Sequence, residues 1–228
     1  PAPPAADPVD LTRLTHALPD TYRQHLAHVA AVLNSDDSPV PAHRLIDEEE
    51  RERVTAGLVA VRAYWGEHRT TVDRWLRGGS DPYGHARALV EWARIGLDQL
   101  PAVTGPLFAA VAESHPYQPG TAVVEPGFVE AGLAPAAFPT DGLDYVIWST
   151  TARRLGRVIH GGEPTALFPP GTRFAVLDVE WIDRRCRVFL AETGPAATPP
   201  ADVLDRLRAA AAAPASAPVV STGAPIGS

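Results

Sequence analysis

The sequence predicts an α+β fold, with helices first and strands later. Three observations predict it. Apolar residues recur at steps of three and four as far as Leu100. After Pro101 the pattern changes to short runs of strand-forming residues. Turns such as Gln118-Pro119-Gly120 and Pro169-Pro170-Gly171 separate those runs. Segregated helices and strands argue against a βαβ repeat.

Each element follows from local chemistry. Pro1 to Pro8 is Pro/Ala-rich and expected to be extended or disordered. Leu11, Leu14, Leu18, Tyr22, Leu26, Val29 and Leu33 mark one or two amphipathic helices, with Pro19 as a break or first turn. Asn34 to Pro41 reads as a loop. The run from Asp47 to Arg53 opens a helix that continues through Tyr64, and its acidic start suits the positive end of a helix dipole. Thr70 to Leu76 is a shorter helix stopped by Gly78-Gly79. Pro82 to Leu100 carries Ala86, Leu89, Val90, Ala93 and Leu97 on one face. Expected strands are Leu107 to Ala112, Thr121 to Val124, Asp144 to Ser149, Arg157 to His160, Arg173 to Trp181 and Arg187 to Glu192. Asp202 to Ala212 is an Ala-rich helix candidate, and the remainder reads as linker.

Composition narrows the function classes. The formal charge is −7, which argues against a nucleic-acid binder that tracks phosphates with a basic stripe. The cluster Arg184, Arg185 and Arg187 is expected to decorate a solvated strand or hairpin. The one cysteine, Cys186, excludes an internal disulfide and a cysteine-based zinc site, and the alternation around it buries it on a strand face. No apolar run is long enough to span a membrane, and no signal peptide is visible within this segment. Every basic side chain apart from histidine is arginine, which with the Ala and Pro content suggests a high-GC, actinobacterial-like origin. A Pro-rich start and a Pro/Ala/Ser end give the expectation of a segment from a longer chain.

Three blocks, in order, carry a resemblance. The first is Val61-Arg62-Ala63-Tyr64-Trp65-Gly66, running on to Val72-Asp73-Arg74-Trp75-Leu76-Arg77-Gly78-Gly79. The second is Leu100-Pro101 and Gly105-Pro106-Leu107-Phe108. The third is Tyr117-Gln118-Pro119-Gly120, Pro126-Gly127-Phe128 and Leu167-Phe168-Pro169-Pro170-Gly171-Thr172-Arg173-Phe174. From Val54 to Glu192 the chain resembles the bacterial toxin-type (arginine-serine-glutamate) ADP-ribosyltransferases. The resemblance implies N-terminal helices followed by a mixed β-sandwich. It also implies boundaries: residues 1–46 a Pro-rich lead and helical extension, 47–193 the ADP-ribosyltransferase-like domain, and 194–228 an Ala/Pro-rich tail or linker.

Cleaving the nicotinamide–ribose bond of NAD builds positive charge on the ribose. The site needs a carboxylate against that charge and a grip on the phosphates. The resemblance implies an arginine at the end of the first strand, a Ser-Thr-Ser strand that props the site and the second Glu of a Glu/Gln-x-Glu loop. By the resemblance, the arginine position holds Ala109, the Ser-Thr-Ser strand is replaced by Val129-Glu130-Ala131-Gly132, and the catalytic pair falls on Glu163-Pro164-Thr165. Glu163 survives at the first position and Thr165 stands where the essential glutamate belongs. Asp73 replaces an asparagine. Arg77 keeps a potential phosphate contact, and Phe128 a cofactor-side position. An alternative alignment pairs Ser149-Thr150-Thr151 with Glu192, but it puts Phe128 and the Pro-Pro-Gly turn in the wrong strands.

The expectation is therefore a catalytically degenerate domain, an interaction or structural module of a larger secreted, injected or phage-like assembly. It would require no cofactor, with NAD entering only through residual activity, and would engage an unknown protein partner. The alternative is an active, divergent NAD-dependent mono-ADP-ribosyltransferase. There Glu163 would be the key carboxylate, with Arg77, Arg153 or Arg154 on the phosphates. His25 and His28 share a helix face but lack a third ligand, so they are expected as surface or interhelix histidines.

Overall fold

The computed structural model describes residues 11–111, 115–135, 142–159, 164–182, 185–195, 199–216, 220 and 224–227. The chain divides into two compact units. One comprises Pro1–Pro101 with Arg157–Gly161, and the other Ala102–Gly156 with Gly162–Ser228.

The first unit is helical. Helices α1 (Leu11–Ala17) and α2 (Tyr22–Leu33) are separate, and Pro19 lies in the turn between them. Helix α3 (Glu48–Ala63) starts at Asp47, whose side chain accepts a hydrogen bond from the Glu50 amide at 2.9 Å. A cap of this kind stabilises a helix by about 1 kcal/mol. A π-helical turn, Tyr64–His68, leads into α4 (Arg69–Leu76), and α5 (His85–Gln99) follows. Helices α3 and α5 touch backbone to backbone at Gly57 and Gly96, where a Cβ on Gly57 would lie 2.5 Å from the Gly96 nitrogen. The run Arg157 to His160 does not form the expected strand. Gly156–Val158 is a 3-10 turn, and His160 lies outside the described residues. The Arg157 carbonyl accepts from His28 Nε2 at 3.0 Å and the Val158 carbonyl from the Arg62 guanidinium at 3.1 Å, so both go to side chains instead of a ladder.

The second unit is a sheet of eight strands: β1 (Gly105–Val111), β2 (Ala122–Val124), β3 (Val129–Gly132), β4 (Gly142–Ser149), β5 (Arg153–Arg154), β6 (Thr165–Phe168), β7 (Arg173–Ile182) and β8 (Arg185–Thr193). The order is β2-β7-β8-β4-β1-β3-β6-β5, and every pairing is antiparallel except β4 with β8. The α+β expectation holds.

β6 and β7 lie near opposite ends of this order, yet the Phe168 and Phe174 rings meet edge to face at 5.2 Å. The sheet therefore folds over on itself and encloses a core. Leu107, Ala109, Val129, Ala131, Tyr145, Ile147, Ala166, Phe168, Phe174, Val188 and Leu190 build that core. Cys186 is buried, as its alternating surroundings predict. Arg185 and Arg187 lie 3.4 and 3.6 Å from the buried Asp144 carboxylate, so these two guanidinium groups serve an internal ion pair. Burial pushes the Asp144 carboxyl up, while the two guanidinium groups hold it down.

Parts of the chain after Gly194 are packed. Helix α6 (Val203–Ala211) buries Val203 and Leu207 against Phe108, Val146, Trp148 and Phe189. Ile226, in the stretch read as linker, is core, with 1% of its surface exposed. Burying a branched apolar side chain contributes about 1.5–3 kcal/mol, which offsets part of the entropy lost in ordering its neighbours.

Candidate functional site

The sheet order brings three sequence-predicted positions onto adjacent strands. Ala109 is on β1, Glu130 to Gly132 on β3, and Thr165 on β6. Gly132 is in register with Phe108 on one side and Thr165 on the other. Strand alternation then sorts the side chains by face. Ala109, Ala131 and Ala166 turn into the core cluster. Glu130, Gly132 and Thr165 share the opposite face of β3 and β6. Thr165 is buried, and Glu130 nearly so.

Glu130 stands opposite Leu167, and Leu167 stands opposite Arg153 of β5. A carboxylate and a guanidinium thus share one face, with one strand between them. Register alone creates this relation, and no local motif announces it.

Phe128 is buried at the start of β3. Its turn is held by Glu125, whose carboxylate accepts from the Gly127 amide at 2.7 Å. The Glu125 backbone meets the Pro-Pro-Gly turn twice: its amide donates to the Thr172 carbonyl at 2.9 Å, and its carbonyl accepts from the Gly171 amide at 2.7 Å. Glu163 lies outside the described residues.

Arg77 belongs to the helical unit, exposed at the end of α4. Tyr64 donates its hydroxyl to Asp73 Oδ1 at 3.0 Å, and Arg69 Nε lies 3.8 Å from Asp73 Oδ2. Burial raises the Asp73 carboxyl above the usual range, and the Tyr64 hydroxyl, Arg69 and Arg77 counter it.

The alternative trio also forms a cluster. The Glu192 carboxylate accepts from the Thr150 amide at 2.7 Å, the Thr151 amide at 2.9 Å, the Thr150 hydroxyl at 3.1 Å and the Thr151 hydroxyl. It lies beside an open cleft of about 280 Å3 lined by Pro169 to Arg173. Bonded to four donors, Glu192 caps the turn after β4. This satisfied geometry suits a structural carboxylate more than one that meets a reacting ribose.

His25 is buried, with Nε2 3.0 Å from Glu67 Oε2. Among the described residues no group of three or more His, Cys, Asp or Glu side chains could hold a metal ion. Nor is any helix among them long and apolar enough to cross a membrane.

No family model matches the chain, and no curated protein does. Solved structures do. The type III effector XopAI from Xanthomonas axonopodis pv. citri aligns with a TM-score of 0.55 and 20% identity, over 81% of this chain and 90% of that one. Exoenzyme S from Pseudomonas aeruginosa, solved with human 14-3-3 protein beta and carba-NAD, aligns with a TM-score of 0.56 and 15% identity, over 81% and 97%. The Vis toxin, an ADP-ribosyltransferase from Vibrio splendidus, aligns with a TM-score of 0.51 and 14% identity, over 85% and 89%. The chain has the fold of bacterial ADP-ribosyltransferase toxins and effectors.

Proposed function

We propose that the chain is a catalytically degenerate ADP-ribosyltransferase-like domain, serving as an interaction or structural module of a larger bacterial protein. One observation carries the reading. The junction of β1, β3 and β6 bears Ala109, Val129 to Gly132 and Thr165 where the resemblance places arginine, Ser-Thr-Ser and glutamate. Losing one preorganised electrostatic contact costs roughly 10²–10³ in rate, and three losses remove most of the catalysis even without additivity. One similar structure is a type III effector, which supports a secreted or injected host protein. The module requires no cofactor and engages a protein partner. Calorimetric titration with NAD and a nicotinamide-release assay test the reading. Release that disappears in Glu163→Gln would sink it.

The Glu130–Leu167–Arg153 register favours a second reading, an active and divergent mono-ADP-ribosyltransferase. Here Glu163 or Glu130 is the carboxylate, and Arg77, Arg153 or Arg154 holds phosphate. Transfer of label from NAD to lysate proteins decides between the two. Absence of transfer at high protein concentration ends the second reading.

A further inference from the structure

β1 and β3 pair at one register position, Phe108 with Gly132, and then part. They divide the sheet into β2-β7-β8-β4-β1 and β3-β6-β5. A crevice where neighbouring strands diverge is a common place for a ligand, because backbone groups there lack ladder partners. Here the next amide of β1, at Ala110, donates to the carbonyl of Val220 at 2.8 Å. A Val220 methyl lies 3.4 Å from where a Cβ on Gly132 would stand.

Ile226 lies in the core. The Ile226 carbonyl accepts from the Tyr117 hydroxyl at 2.7 Å, and its amide donates to the Tyr145 hydroxyl at 3.2 Å. The two hydroxyls are 2.8 Å apart. Burial pushes the Tyr117 phenol up to about 12 and the Tyr145 phenol higher still, so both keep their protons at neutral pH. The Ile226 side chain joins the cluster that holds Ala109, Ala131 and Ala166. Gly227 donates its amide to Glu125 Oε2 at 2.7 Å. It has φ +76°, and a Cβ on it would lie 2.8 Å from Val123 Cβ, so only glycine fits.

We propose that the crevice between β1 and β3 is a binding site for an extended polypeptide. Its resident occupants are this chain's own Val220, Ile226 and Gly227. The proposal deepens the preceding reading and rests on it for the identity of the crevice. Every anchor fits a peptide: two backbone carbonyls, two backbone amides, one branched apolar side chain and one glycine.

Amide exchange on the full chain tests this, comparing wild type with Gly227→Val. The Ala110 amide is expected to be protected in wild type and to lose at least about tenfold of its protection in the variant, with the β7–β8 amides unchanged as the folding control. Tyr117→Phe, which removes the donor to Ile226, is expected to move Ala110 in the same direction by less. Equal Ala110 exchange in all three proteins overturns the proposal. So does a wild-type dimer that Gly227→Val converts to monomer, since the occupant would then come from a second copy. Nicotinamide release is measured in parallel. Release by wild type would sink the non-catalytic reading while leaving the exchange result standing.

Discussion

The Tyr64–Arg77 segment of the helical unit and the β1–β3–β6 junction of the sheet unit differ in how their polar groups are treated. In the first, polar side chains hold one another: Tyr64 donates to Asp73, Arg69 lies beside it, and Arg77 adds its charge. In the second, Ala109, Ala131 and Ala166 face the core, and Ile226 packs with them. Buried polar groups are costly unless they are paired. A network that pairs internally persists for folding reasons alone. A network whose partner is a ligand has no such support, and alanines with a segment of the chain itself can replace it. Polar residues in the helical unit are therefore weak evidence for NAD chemistry, and the proposal of a non-catalytic domain rests on the junction instead.

The largest expected effect breaks the helical side of this comparison. Gly57→Val drives a side chain into the Gly96 backbone, where nothing can yield. Overpacking usually costs about 1–3 kcal/mol, and a backbone clash belongs at or above the top of that range. Urea unfolding should show a loss of about 3 kcal/mol. A loss under about 1 kcal/mol would mean that the α3–α5 contact is looser than described.

Next is the carboxylate of the sheet unit that is fully bonded. Glu192→Ala strands the amides of Thr150 and Thr151, for an expected loss of about 2–3 kcal/mol. Glu192→Gln should recover part of it, because its carbonyl still accepts. Equal losses for both variants would show that charge, not hydrogen bonding, secures the turn.

The helical elements were legible because their signals are local. Asp47 before an acid-rich run announces a cap, and Pro19 a break. The longer strands announced themselves by composition. β3, β5 and β6 fall outside the expected strand runs, because two to four residues carry too little period. The run Arg157 to His160 was misread because its carbonyls meet His28 and Arg62, partners far away in sequence. At the site, the conjunction of Ala109, Gly132 and Thr165 required strand order, which the resemblance supplied and periodicity could not. Ile226 left one faint signal, a lone isoleucine in a Pro/Ala/Ser stretch.

A smaller effect is pH-dependent. Burial lowers the His68 imidazolium, mainly by desolvation, with Glu67 opposing and His25 and His85 assisting. The unfolded chain then binds a proton more readily than the folded one as pH falls below about 6.5, so stability drops there. His68→Asn should flatten unfolding free energy against pH in that window. An unchanged slope would assign the dependence to other groups.

The smallest effect sharpens the comparison most. Asp73 replaces an asparagine of the resemblance, and burial raises its carboxyl despite Tyr64, Arg69 and Arg77. A carboxyl raised in the folded state is penalised when ionised. The penalty grows as pH rises from about 3.9 through the folded value and is constant above it. Asp73→Asn removes the charge and keeps an acceptor for the Tyr64 hydroxyl. The variant is expected to melt slightly above wild type at pH 7, and the difference should shrink toward pH 3, where both side chains are neutral. A lower melting point at pH 7 would mean that the arginine attractions outweigh burial. Asp73 would then be a net stabiliser of its segment, and its presence would owe nothing to a phosphate ligand.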